Sequence, residues 1–238
     1  MADISELRKD LTYLRGRIDR PSGPFLETWE SEAINAAIWA STNPATNPNA
    51  VVITTGITHF RMHLVANETG RLRSVARYRV TPNLYDLGDS IPKRFNMQWE
   101  MKLTDITNLD VANCFFGLTA GAADTRASND IVGFGLKEAV AGVVNAATVT
   151  DRAASEEEAV GPWGELVLTN WNTYGIHVGS MRIDFSLNGI IQPGMSHLDI
   201  ADLPDAALYM NFYVDSEGGA GPTYLDAGNI RTWYSDEG

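Results

Sequence analysis

Alternation of apolar and polar residues dominates this chain. Over residues 95–103, Phe95, Met97, Trp99, Met101 and Leu103 share one face, while Asn96, Gln98, Glu100 and Lys102 share the other. A period of two marks a half-buried strand. Residues 181–187 repeat the pattern, with Met181, Ile183, Phe185 and Leu187 against Arg182, Asp184 and Ser186. Asn188-Gly189 follows, the strongest short hairpin signal. Leu208, Met210, Phe212 and Val214 alternate with Tyr209, Asn211, Tyr213 and Asp215. Shorter strands are predicted at 51–53, 59–65, 72–78, 113–118, 131–136, 165–168, 174–178 and 229–234. Residues 43–49 read as loop, and Glu156, Glu157 and Glu158 as an exposed acidic loop. Many strands with no helix between them predict an all-β fold, an antiparallel two-sheet sandwich.

The start of the chain follows a different period. Ile4, Leu7, Leu11, Leu14 and Ile18 recur at spacings of three and four, a heptad seam with Ile4, Leu11 and Ile18 at a and Leu7 and Leu14 at d. In a parallel coil Asp3 would face Arg8 of a neighbour, and Asp10 would face Arg15. Both pairs are opposite in sign, so the charges favour parallel identical chains. Asp3 followed by Glu6 has the form of a capping box, and Pro21-Ser22-Gly23-Pro24 ends the helix. Gly16 costs about 1 kcal/mol relative to alanine, and a helix this short is marginal alone, so the seam would align chains that touch elsewhere. The competing reading is an amphipathic helix lying on its own β domain. The chain divides accordingly into a helical stalk over 1–20 and a β-sandwich over 24–238.

Composition then narrows the partners. A net charge of −12 argues against nucleic acid and anionic membrane surfaces, since both call for a basic face. The single cysteine, Cys114, sits in the apolar run Cys114-Phe115-Phe116 and can form no intramolecular disulfide, so it reads as a small buried hydrophobe. Met1-Ala2-Asp3 lacks the apolar stretch of a secretory signal, and no run reaches the length of a membrane span. Synthesis in a cytoplasm is expected.

Few residues offer themselves for chemistry. His59 and His63, four apart, share a face, but no third ligand is near them in sequence and a structural role is expected. Asp199, Asp202 and Asp205 surround Pro204, and Asp215 and Glu217 precede Gly218-Gly219. Such loops offer calcium hard oxygens, though neither set has the spacing of a known calcium loop; no other cofactor is suggested. Trp29, Trp39, Trp163 and Trp171 lie in or beside loops, where tryptophan either stacks on sugar rings or packs into core and rim. No glycine-rich loop precedes a helix, and no serine or cysteine has the setting of a nucleophile.

A resemblance adds to this reading. Asn172-Thr173-Tyr174-Gly175-Ile176-His177-Val178 precedes Met181-Arg182-Ile183-Asp184-Phe185-Ser186-Leu187-Asn188-Gly189, and the chain closes with Asn229-Ile230-Arg231-Thr232-Trp233. Phe25-Leu26-Glu27-Thr28-Trp29, Trp39 and Phe115-Phe116-Gly117-Leu118 agree with it in the front half. Over about residues 24–235 the chain resembles the concanavalin A-like lectin/glucanase superfamily, which implies a jelly roll. Hydrolases of that superfamily carry an E-x-D-x-x-E pattern on one strand face, because retaining hydrolysis needs two carboxylates about 5 Å apart. This chain has no such pattern. Glu100, between Gln98 and Lys102, is the nearest analogue and reads as half of a surface ion pair with Lys102. No enzyme activity and no catalytic residue are expected.

Three functional readings follow. By architecture the chain resembles tailed-phage virion proteins of the capsid decoration or head-fibre type, which implies a homotrimer located in the virion, with the major capsid protein or another virion protein as partner. Ile at a with Leu at d would by itself favour two strands over three. The alternative is a carbohydrate-binding module with a glycan as partner, and a remote glycosidase comes third.

Overall fold

The computed structural model describes residues 25–27, 34–43, 47, 50–53, 59–65, 67–80, 93–104, 114–120, 130–140, 143–152, 155–160, 168–192, 196, 207–216 and 222–236. The heptad seam with its charge pairs, and Trp29, Trp163, Asp199, Asp202, Asp205 and Glu217, lie outside the described residues.

Two antiparallel sheets face each other. The first runs in the order β13 (Ile190–Ile191), β12 (Ile183–Leu187), β11 (Asn172–Val178), β6 (Lys93–Thr104), β15 (Thr223–Asp236), β4 (His59–Leu64) and β3 (Val51–Ile53), with β1 (Phe25–Glu27) also paired to β15. The second runs β10 (Ser155–Val160), β9 (Val143–Arg152), β8 (Ile131–Val140), β7 (Phe115–Thr119), β14 (Ala207–Asp215), β5 (Thr69–Arg79) and β2 (Trp39–Thr42). The expected two-sheet sandwich is observed.

The inner faces hold the residues that alternation assigned to them. Trp99 and Met97 on β6, Tyr174 and Ile176 on β11, and Phe185 on β12 meet Phe134 on β8 and Leu208, Met210, Phe212 and Val214 on β14, all at most 1% exposed. Trp99 stacks on Tyr174 at 5.8 Å and meets Phe134 and Phe212 edge-on at 5.7 and 5.8 Å, so one indole ties both sheets together. Asn188 and Gly189 both take positive φ, 52° and 79°, in the tight turn joining β12 to β13.

Three local expectations are corrected. Met181 is 66% exposed, because Gly179 to Arg182 form a turn (Gly179 N–H to Arg182 C=O, 2.9 Å) and the strand begins only at Ile183. Glu156, Glu157 and Glu158 stand in β10, paired to β9 at the end of the second sheet's strand order, where charge suits an edge strand. Neither β9 nor β10 was foreseen.

Candidate functional site

On the outer face of the first sheet, a strand's polar positions find each other across the ladder. Asp226 on β15 pairs in register with Arg61 on β4 and Lys102 on β6. Its carboxylate, 1% exposed, accepts from Arg61 Nε at 2.6 Å and Nη2 at 2.8 Å, with Lys102 Nζ at 3.6 Å and His59 Nε2 at 3.5 Å. The bond to Asp226 holds the Arg61 guanidinium above its ordinary range. Burial lowers His59 below 6.5, outweighing the attraction of Asp226. His63 stacks on Tyr224 at 4.6 Å. Asn229 donates to Glu100 at 2.6 Å, and Arg231 donates to Gln98 Oε1 through Nε at 2.8 Å and through Nη2. His59, Glu100, Trp171, Gly228 and Asn229 line a shallow depression of about 270 Å³.

Further along this face, Ser186 Oγ lies 2.9 Å from His177 Nε2, and His177 Nδ1 lies 2.8 Å from Asn96 Oδ1. Asn96 Nδ2 donates to Ser235 Oγ and the Arg94 carbonyl, so its Oδ1 takes the imidazole N–H and leaves Nε2 to accept from Ser186. A nucleophile, base and orienter share this connectivity. Here the serine is 7% exposed in a regular strand, and a Cβ at Gly175 would collide with its hydroxyl. The chain of bonds is closed and structural. Burial, then Arg94, lowers His177 below 6.5. Beside it Asp184, 1% exposed, accepts from Arg182 at 2.8 Å and Ser196 at 2.7 Å.

The outer face of the second sheet has a different chemistry. Arg71, Arg73 and Arg77 project from β5 opposite Tyr213, Asn211 and Tyr209 of β14. Four residues of extended strand span about 13 Å, too far for Arg73 and Arg77 to share one ring. A bulge closes that distance: Ser74, Val75 and Ala76 stand where β14 has only Met210. Ser74 fixes the bulge by donating to the Ala76 carbonyl at 2.7 Å and accepting from Met210 N–H at 3.0 Å. The Arg73 and Arg77 guanidinium carbons consequently lie over the Tyr209 ring, at 4.1 and 4.5 Å from its centre. Arg73 Nε and Nη1 are buried and make no hydrogen bond, and neither does Oδ1 of Asn211, whose residue is 1% exposed. Asn211 pairs next with Gly117, and Gly117 with Gly133, so the row beyond the arginine is low. Phe115 and Ile131 form a separate small apolar cluster on this face. Among the described side-chain positions of β8, those facing outward are Ile131, Gly133 and Gly135, none of them acidic.

The structure brings His59, Glu100, Lys102 and Trp171 together and disperses the rest. Lys102 pairs with Asp226 and stands 5.2 Å from the Trp171 ring centre, so the expected Glu100–Lys102 ion pair is replaced by the Glu100–Asn229 bond. His59 and His63 share a face as expected, but each has its own aromatic partner, Trp171 and Tyr224. Trp39 is 1% exposed and belongs to the core, whereas Trp171 is 44% exposed. Cys114 is buried, as expected. Asp215 ends β14, and among the described residues no three His, Cys, Asp or Glu gather as a metal site. Sequence reasoning missed Arg71, Arg73, Arg77 and Asn211. Its available signal was an arginine at alternate positions of a strand in an acidic chain.

No family model matches the chain, and no curated protein matches it by sequence. Solved structures do. A beta-glucanase from Bacillus licheniformis superposes with TM-score 0.60 at 16% identity, over 90% of this chain and 99% of that one. A structure reported for endo-acting O-glycanases of human gut microbiota that initiate mucin breakdown gives TM-score 0.61 at 10% identity, over 88% and 98%. An alginate lyase in complex with dimannuronate gives 0.54 at 11%, over 80% and 79%. The fold is therefore the concanavalin A-like jelly roll. These likenesses overturn the expectation of no enzyme activity: the missing E-x-D-x-x-E pattern excludes one hydrolytic arrangement, while the fold is one that carbohydrate-active enzymes of several kinds use.

Proposed function

We propose that this chain is a carbohydrate-active protein that engages a polysaccharide across the outer face of the second sheet, along the row from Arg73 through Asn211 to Gly117. One observation carries the reading: Arg73 Nε and Nη1 and Asn211 Oδ1 are adjacent, buried and without hydrogen bonds. A buried polar group left unpaired costs about 1–3 kcal/mol, and a polyhydroxylated ligand supplies both donors and acceptors. The likeness to a beta-glucanase, to O-glycanases and to an alginate lyase supports the choice of a glycan among such ligands. The depression around Trp171 and Glu100 is the weaker candidate: Glu100 is already bonded to Asn229, and His59 Nε2 alone of its lining is buried without a hydrogen bond. The virion reading rested on the architecture of a helical stalk joined to a β body, and neither a described contact nor the likeness to these solved structures favours it.

The test uses the purified full chain on a glycan array and in a polysaccharide-cleavage panel, alongside Arg73→Gln, Asn211→Ala and Trp171→Ala, each checked for folding by circular dichroism. Binding or turnover of a polysaccharide is expected, lost with Arg73→Gln or Asn211→Ala and kept with Trp171→Ala. A folded chain that neither binds nor cleaves any polysaccharide overturns the proposal. So does a loss confined to Trp171→Ala.

A further inference from the structure

We infer that the polysaccharide is an acidic one, whose carboxylate or sulfate groups are held by Arg73 and Arg77. The inference rests on the polysaccharide reading above and names the substrate class. Its first support is a contrast within the molecule. Arg61, on the opposite face, meets the Asp226 carboxylate with two N–H groups at 2.6 and 2.8 Å. A guanidinium finds its strongest partner in an oxyanion. Among the described residues, neither Arg73 nor Arg77 forms an ion pair, although acidic residues outnumber basic ones by 30 to 18. The missing carboxylate is the ligand's to supply.

The second support is the Tyr209 ring. Neutral sugars bind by laying their apolar faces on exposed aromatic rings. Tyr209 has both guanidinium groups over its ring, at 4.1 and 4.5 Å. Stacking occupies the flat face of a guanidinium and leaves its N–H groups, which lie in the plane, free to donate. The tyrosine therefore orders two cations in advance, so that little side-chain entropy is lost when an anion arrives. Asn211 Oδ1, beside Arg73, accepts from a hydroxyl of the same sugar unit. A groove adapted to a neutral glucan would have left the ring bare.

The test measures affinity of the full chain for alginate, polygalacturonate, dextran sulfate, a neutral β-glucan and single-stranded DNA, at about 50 and about 500 mM NaCl. Arg73→Gln and the more exposed Arg77→Gln are measured in parallel. Expected is binding of at least one acidic polysaccharide that weakens at least about tenfold in either variant, and in the higher salt. Alginate or polygalacturonate reduced to its neutral sugars separates the sources of charge: loss on reduction assigns a carboxylate, while preference for dextran sulfate assigns a sulfate. Binding of the neutral glucan as tight as any acidic polysaccharide, unaffected by either variant, overturns the acidic inference and leaves the polysaccharide reading intact. Equal affinity for single-stranded DNA also overturns it, since the arginines would then be a general anion patch. Binding to no polysaccharide overturns both.

Discussion

The two outer faces of this sandwich both carry cations and differ in what they do with that charge. Among the described residues of the first sheet, Arg61 and Lys102 pair with Asp226 and Arg231 with Gln98 on neighbouring strands, and Arg182 pairs with Asp184 two residues along its own segment. On the second sheet Arg73 and Arg77 have only the ring of Tyr209. A network that closes on itself contributes to stability and has little left to offer a ligand. A pair of ordered cations without counter-charges repels itself and is tolerated where something else completes it. Polarity alone would not have separated the faces; the presence or absence of a counter-charge beside each cation does.

The contrast breaks most visibly at Asp226. Asp226→Ala leaves Arg61, Lys102 and His59 facing one another around an emptied site, and should lower stability by about 3 kcal/mol, read as a shift in the denaturation midpoint. An unchanged midpoint would mean that the first face is no more committed to folding than the second. Arg73→Gln should change stability by less than about 1 kcal/mol in the same assay, because it removes a stacking contact and relieves repulsion from Arg77. A loss comparable to that of Asp226→Ala would make Arg73 a structural residue.

The smallest expected effect is one of pH. His177 titrates below 6.5 in the folded chain, chiefly through burial. The unfolded chain therefore takes up the proton first as pH falls. The contribution of His177 is fully present above about 6.5 and declines below it. Melting temperatures between about pH 8 and pH 5 should fall toward the acidic end, and His177→Gln should flatten part of that slope. An identical slope in the variant would show that His177 gains and loses its proton alike in both states.

Much of the fold was legible because one side of each sheet is buried. Strands such as β6 and β14 then write their orientation into the sequence as strict alternation, and the four apolar positions of β14 are indeed fully buried. Elements without that contrast were missed. Residues Val143 to Arg152 of β9 mix Ala, Thr and Val without a polar face, and β10 carries three consecutive glutamates. Ser186 was assigned correctly to the outer side, yet it is buried there by its bond to His177, which depends on Gly175 two strand positions away from that histidine. The candidate site was hardest to see. Isolated acids and tryptophans drew attention to Glu100 and Trp171, whereas Arg73 and Arg77 acquire meaning only once the bulge brings them to one ring.

That bulge also limits how the sequence can drift. Between the pairs Arg73–Asn211 and Arg77–Tyr209, β5 spends three residues where β14 spends one, an excess of two. Side chains on a strand alternate sides, so an excess of two keeps Arg77 outward and Tyr78 inward. Loss of a single residue among Ser74, Val75 and Ala76 would exchange them, turning an arginine into the core and a tyrosine out of it. Loss of two would restore a plain ladder with the core undisturbed, and the Tyr209 ring would keep only one of its cations. Descendants of this chain are therefore free to lengthen or shorten here in even steps alone, and an alignment gap of one at this point would flag either an error or a different fold of the strand.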